Sequence, residues 1–123
     1  MIKVQESKEM YLETILILTK RNGTVRSIDV ASEMSFSKPS VSRAMGILKS
    51  ENLINVDKHG LITLTDMGKE LAHKVLERHD YLKRLLISLG VNQEIADSDA
   101  CRIEHVISDE TFEVIKEYIN TNK

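Results

Sequence analysis

Tryptophan is absent, proline and cysteine occur once each, and aromatic residues make up only 4% of 123 residues. Each shortage excludes something. A single cysteine cannot close an internal disulfide, which excludes a small disulfide scaffold. It suits a reducing cytoplasm, where a thiol stays free to bind metal. The single proline, Pro39, leaves no proline-rich linker between lobes. With few aromatics, Leu, Ile, Val and Met must build the core. No apolar run approaches the roughly 20 residues of a membrane span, so no membrane partner is expected. The start, Met1-Ile2-Lys3-Val4-Gln5-Glu6, lacks the apolar stretch of a signal peptide. Repeats and low-complexity segments are also missing.

What is present is ordinary in bulk: 41% hydrophobic and 29% charged residues, as in a soluble globular protein. The length fits one domain, or two small lobes sharing a long helix. The net charge of −2 argues against a general nucleic-acid binder, but it hides a split. Residues 1–64 carry nine Lys and Arg against seven Asp and Glu, whereas residues 65–123 carry eight against twelve. Between Met34 and Ser50 there is no acidic residue, while Lys38, Arg43 and Lys49 are present. A basic face on an acidic body suits docking on phosphate through one surface.

Periodicity and caps predict the elements. Glu6 to about Arg21 reads as a helix ended by Asn22-Gly23. Ser27 is placed to cap a short helix through Met34, and Ser37 the next, with Pro39 in its first turn and an end near Glu51. Leu53–Val56 and Leu61–Leu64 read as strands around a turn at Asp57–Gly60. Thr65 caps a long helix whose stripe is Met67, Leu71, Val75, His79, Leu82, Leu86 and Leu89. Gly90 stops it, and two helices follow, about Gln93–Ile107 and Asp109–Asn120, the second capped by Ser108 or Asp109.

This order predicts a mainly α protein: a winged helix-turn-helix DNA-binding domain over residues 1–64, then a helical lobe over residues 65–123. Ile28, Ala31, Val41, Met45 and Leu48 are expected to form the small core between the two short helices. The solvent side of the second then shows Ser37, Lys38, Pro39, Ser40, Ser42, Arg43 and Lys49. Hydroxyls and leading amides suit phosphate oxygens, and Arg can fork onto guanine. The bland alternative is a solvated polar face. Lys58 and His59 at the hairpin tip could reach phosphate.

Near the C-terminal end stand Cys101, Glu104 and His105. On a helix turning about 100° per residue, Glu104 lies roughly 60° to one side of Cys101 and His105 about 40° to the other. Thiolate, carboxylate and imidazole on one face can hold a divalent transition ion. Taken singly, each is more simply a core or surface residue. The first helix offers Met10 and Glu13 as further donors, and the long helix offers His79.

Met10-Tyr11-Leu12-Glu13-Thr14-Ile15, Arg78-His79 and Ala100-Cys101-Arg102-Ile103-Glu104-His105-Val106-Ile107-Ser108-Asp109-Glu110 resemble the diphtheria toxin repressor family of iron- and manganese-dependent regulators. The resemblance covers the chain from Glu9 to about Glu113, and it implies that the helical lobe over residues 65–123 is a metal-binding and dimerisation domain. It implies a homodimeric repressor of metal-homeostasis genes, not an enzyme, in which Fe(II) or Mn(II) promotes binding to a palindromic double-stranded DNA operator. By position, Met10, Cys101, Glu104 and His105 match the primary site of the iron-responsive branch. The manganese branch has Asp and Glu in place of Met10 and Cys101. Thioether and thiolate are softer than carboxylates and shift preference towards Fe(II), Co(II), Ni(II) or Zn(II). The ancillary site of the iron branch pairs the His79 position with a Glu one turn later, where this chain has Lys83, a cation that opposes a metal. Glu13 follows the manganese branch. A second site from Glu13 and His79, sharing Glu104 or Cys101 and with Asp97 as a weaker candidate, is one expectation; a single metal is the other. Iron-branch relatives carry a further SH3-like domain, and the resemblance here is to the two-lobe form without it.

The dimer surface is expected at Leu85, Leu89, Ile95, Val106, Ile107 and Phe112. The rival readings are a metal-independent winged-helix regulator, sensing a small ligand or redox state through Cys101, and a small metalloenzyme. No residue set supplies a convincing general base or oxyanion holder for the latter.

Overall fold

The computed structural model describes residues 4–121. In chain order they form α1 (Val4–Asn22), α2 (Ser27–Met34), α3 (Lys38–Ser50), β1 (Ile54–Val56), β2 (Ile62–Leu64), α4 (Asp66–Ser88), α5 (Gln93–Ile103) and α6 (Asp109–Thr121). They divide into two compact units, Met1–His73 and Lys74–Lys123, and α4 contributes residues to both.

In the first unit, α1 packs on α2 and β2, and α2 on α3; Leu12, Ile15, Leu16 and Leu18 of α1, Val30 and Ala31 of α2, and Val41, Met45 and Leu48 of α3 are buried. β1 and β2 pair antiparallel, with Ile54 opposite Leu64 and Val56 opposite Ile62. Ile54, Ile62 and Leu64 close the core from the sheet side, and burial of such a set is the main favourable term in folding. Tyr11 meets Phe36 edge to face, their ring centres 6.0 Å apart. Gly68, in the first turn of α4, lies against the backbone of Leu53.

The caps explain the boundaries. Ser37 Oγ accepts the Ser40 amide at the start of α3, and Thr65 Oγ1 accepts the Gly68 amide at the start of α4. At α2 the expected cap moves by one residue. Arg26 is extended and Ser27 is already helical; Asp29 Oδ2 accepts the Arg26 amide, the reciprocal half of a capping box. Ile28 is a second correction. It is 54% exposed, because it stands 200° round the helix from buried Val30, which takes the expected core place.

In the second unit, Val75 and Leu82 of α4, Ala96 and Ala100 of α5 and Phe112 of α6 are buried. Asn92 Oδ1 caps α5, and Ser108 Oγ caps α6 by accepting the Thr111 amide. α5 ends at Ile103, short of the expected Ile107. The Val106 amide turns back to Ile103 O, and the Ile107 carbonyl accepts Arg78 Nη1 at 2.9 Å. The Ile107 amide also returns to Ile103 O, so the turn keeps one helical bond past the end of α5. Phe112, expected on the dimer surface, is 3% exposed; its ring packs edge-on against Tyr81 beneath the Arg78 guanidinium. Leu89, Ile95 and Val106 are exposed.

Candidate metal centre and nucleic-acid interface

The connection after α5 sets up the metal donors. Cys101 is in the last turn of α5, and Glu104 and His105 lie in the turn just beyond it. The Glu104 backbone is still helical, and its amide bonds Ala100 O, so the one-turn spacing survives the early end of the helix. One donor atom from each of Cys101, Glu104 and His105 lies within 4.8 Å of the other two. Among the described residues this is the one such set of three or more.

Glu104 is fully buried, which is costly for a carboxylate unless it is paired. His79 of α4 pairs one side: its Nδ1 lies 2.8 Å from Glu104 Oε2, and its Nε2 lies 2.9 Å from Asp97 Oδ1. Glu104 Oε1 stands 3.3 Å from His105 Nε2, accepts no hydrogen bond among the described residues, and is buried. A buried carboxylate oxygen left open, beside a thiol and an imidazole, fits a divalent cation. Lys83 Nζ is 3.3 Å from Asp97 Oδ1, so that carboxylate already faces two cationic side chains.

The Glu104 carboxylate, opposed by burial and helped by Asp97, pushes His79 up to about 9. The same imidazole holds Asp97 below the usual carboxylate range. Because the folded value for His79 lies above its ordinary 6.5, its contribution to stability is complete below about pH 6.5 and lost as pH rises through about 9. The urea midpoint of metal-free protein should therefore fall across that window. His79→Gln should flatten the slope; an unchanged slope would show that His79 is not its source.

Met10 and Glu13 are half-buried on α1 in the first unit. Also there, α3 exposes Ser37, Lys38, Pro39, Ser42, Arg43 and Lys49, with Ser40 partly covered. Ser37 and Ser40 hold each other at the leading end, Oγ to Oγ 2.8 Å. The hairpin tip is tied by Asp57 Oδ1, which accepts the His59 and Leu61 amides, and Arg26 Nε donates to His59 O. Lys58 and His59 are left exposed.

The profile of the iron dependent repressor N-terminal DNA binding domain matches residues 3–61, and that of the iron dependent repressor metal binding and dimerisation domain matches residues 65–123. The chain belongs to the iron-dependent repressor family. It is 34% identical over 106 residues to the transcriptional regulator MntR of Escherichia coli O6:H1, covering 86% of this chain and 68% of that one. It is 31% identical over 123 residues to the iron-dependent repressor IdeR of Mycobacterium tuberculosis H37Rv, covering 98% of this chain but 53% of IdeR. The structure of the manganese regulator SloR superposes with a TM-score of 0.81 at 30% identity, over 92% of this chain and 53% of SloR. The chain thus spans about half the length of IdeR and SloR. Membership makes it a transcriptional regulator with a winged helix-turn-helix and a helical metal-binding and dimerisation lobe, and favours the metal-dependent reading over the ligand- or redox-sensing one.

The residues Asp97 and Arg78 were harder to find from sequence. Asp97 is four residues before Cys101, but its partner is His79, on a different helix. Arg78 carried no local signal beyond its place beside His79.

Proposed function

We propose that this chain, as a homodimer in a reducing cytoplasm, is a repressor whose affinity for a palindromic operator rises when a divalent metal, Fe(II) or Mn(II), binds at Cys101, Glu104 and His105. The role is regulatory, without catalytic turnover. The observation that carries the reading is the buried, half-paired Glu104 between a thiol and an imidazole, in one chain with an exposed basic helix. When bound, the metal supplies a fixed positive charge and directed bonds. Cys101 serves as thiolate, Glu104 as carboxylate and His105 as neutral imidazole, which are the forms that ligate. Met10 is the fourth donor on the family resemblance. Sulfur donors favour Fe(II), with Co(II), Ni(II) and Zn(II) as substitutes, over Mn(II).

We assign one metal per chain. A second site at Glu13 and His79 would require His79 to release Glu104 or Asp97, and Lys83 already brings a cation to Asp97. Residues 1–64 and 65–123 remain the proposed domains. On α3, Ser37, Lys38, Pro39, Ser40, Ser42, Arg43 and Lys49 are the proposed DNA contacts.

The test is anaerobic fluorescence anisotropy on duplex DNA selected with the protein, alongside a count of bound metal. Fe(II) or Mn(II) should strengthen binding by about five- to 150-fold, the usual span of coupling between sites. Met10→Ala should remove most of that gain, and the stoichiometry should be one. Equal affinity in metal and in chelator would refute the reading.

A further inference from the structure

Two consecutive residues of α4 hold the two ends of the connection between α5 and α6. His79 Nδ1 meets Glu104 Oε2 at 2.8 Å, at the start of that connection. Arg78 Nη1 donates to Ile107 O at 2.9 Å, and Nη2 donates to Asp109 Oδ1, at its end. His105 lies between the two points. The connection is a tight turn whose Val106 and Ile107 amides share Ile103 O, while the Ile107 carbonyl at its far end goes to Arg78.

We propose that Arg78 is a positioning residue for the metal centre: by holding the Ile107 carbonyl and the Asp109 carboxylate, it sets the turn that places Glu104 and His105 relative to Cys101. This rests on the metal-centre reading above. The burial of Arg78 supports it. Its side chain is 9% exposed and lies over the Phe112 ring at 5.4 Å, whereas its partner Asp109 is 75% exposed. An apolar side chain of similar volume would cover Phe112 without the cost of desolvating a guanidinium. What the guanidinium adds is a fork of fixed geometry, which can hold a backbone oxygen and a carboxylate at once. A Lys, with one ammonium on a flexible stem, holds them less firmly. Partners that orient ligands in this way commonly change metal affinity by about ten- to a hundred-fold when removed.

The test is an anaerobic Co(II) titration, read by the thiolate-to-cobalt charge-transfer band and the d–d bands, together with the Tm of the metal-free protein. Arg78→Met keeps the volume over Phe112 and removes the donors. It should weaken Co(II) binding by about ten- to a hundred-fold and alter the d–d bands, with Arg78→Lys restoring part of the affinity. Val75→Ala, a buried site on the same helix, should lower Tm and leave affinity and bands unchanged. Wild-type affinity and bands in Arg78→Met would overturn the proposal, as would an equal weakening in Val75→Ala at matched loss of Tm. If Arg78→Met does not fold, Asp109→Ala, which removes the exposed acceptor from the fork, should still weaken Co(II) binding several-fold, and no weakening would overturn the proposal. A wild-type protein without the thiolate band would overturn the metal centre itself, an outcome distinct from failure of the clamp.

Discussion

Glu104→Gln should weaken Fe(II) or Co(II) binding by at least about a hundred-fold and abolish the metal-dependent gain in DNA affinity. The wild-type carboxylate is fully buried, with one oxygen held by His79 and the other open. Gln has nearly the same shape but no charge, and its amide would direct N–H groups where a cation needs a lone pair. Loss of the proposed direct ligand should match or exceed the ten- to hundred-fold commonly lost with an orienting partner. Folding should suffer little, because the Gln oxygen still accepts from His79, and a buried ion pair is in any case weak evidence of stability. His79 would lose its carboxylate partner at that position, so the fall in urea midpoint above neutral pH should shrink in the same variant. A Co(II) titration, DNA anisotropy and urea melts at several pH values check all three. Wild-type Co(II) affinity in E104Q would remove Glu104 from the site.

Gly68→Ala should have the largest effect on stability in the first unit. An added Cβ would stand 2.1 Å from Leu53 O and 3.1 Å from its carbonyl carbon. No flexible side chain can yield there. Leu53 O accepts the Thr65 amide and Leu53 N donates to Leu48 O, so its peptide groups are tied on both sides. Overpacking of this kind costs about 3 kcal/mol or slightly more. Alanine returns roughly 1 kcal/mol as a better helix former. The net loss of about 2 kcal/mol should lower Tm by on the order of 10 °C. An unchanged or higher Tm would show that α4 moves off Leu53 at little cost.

Much of this architecture was legible because the signals were local. Ser37, Thr65 and Ser108 act as caps where hydroxyls precede periodic runs, and Asp57–Gly60 makes the hairpin turn. The Cys101, Glu104 and His105 set was legible because one turn of helix places the residues together. The departures are tertiary. Whether Ile28 or Val30 faces inward depends on where α1 and α3 lie, and α2 is too short for its periodicity to decide. Phe112 reads as interface until Tyr81 and Arg78, some thirty residues earlier, are found around it. That the Ile107 carbonyl goes to Arg78 needs α4 in place. His79 was visible as a candidate donor; that it braces Glu104 against Asp97 needs α4 and α5 in place.

The tied hairpin tip has a consequence for how DNA is met. A loop that orders only on contact weakens binding by the entropy it loses at that moment. Here Asp57 gathers two amides of the tip and Arg26 fastens a third point, so most of that ordering is complete on folding. An approach of Lys58 and His59 to phosphate would then start from a frame already set. The Leu61 and His59 amides also hold the Asp57 carboxyl below the usual carboxylate range. On acidification the tip should therefore keep its shape after ordinary carboxylates have lost their charge.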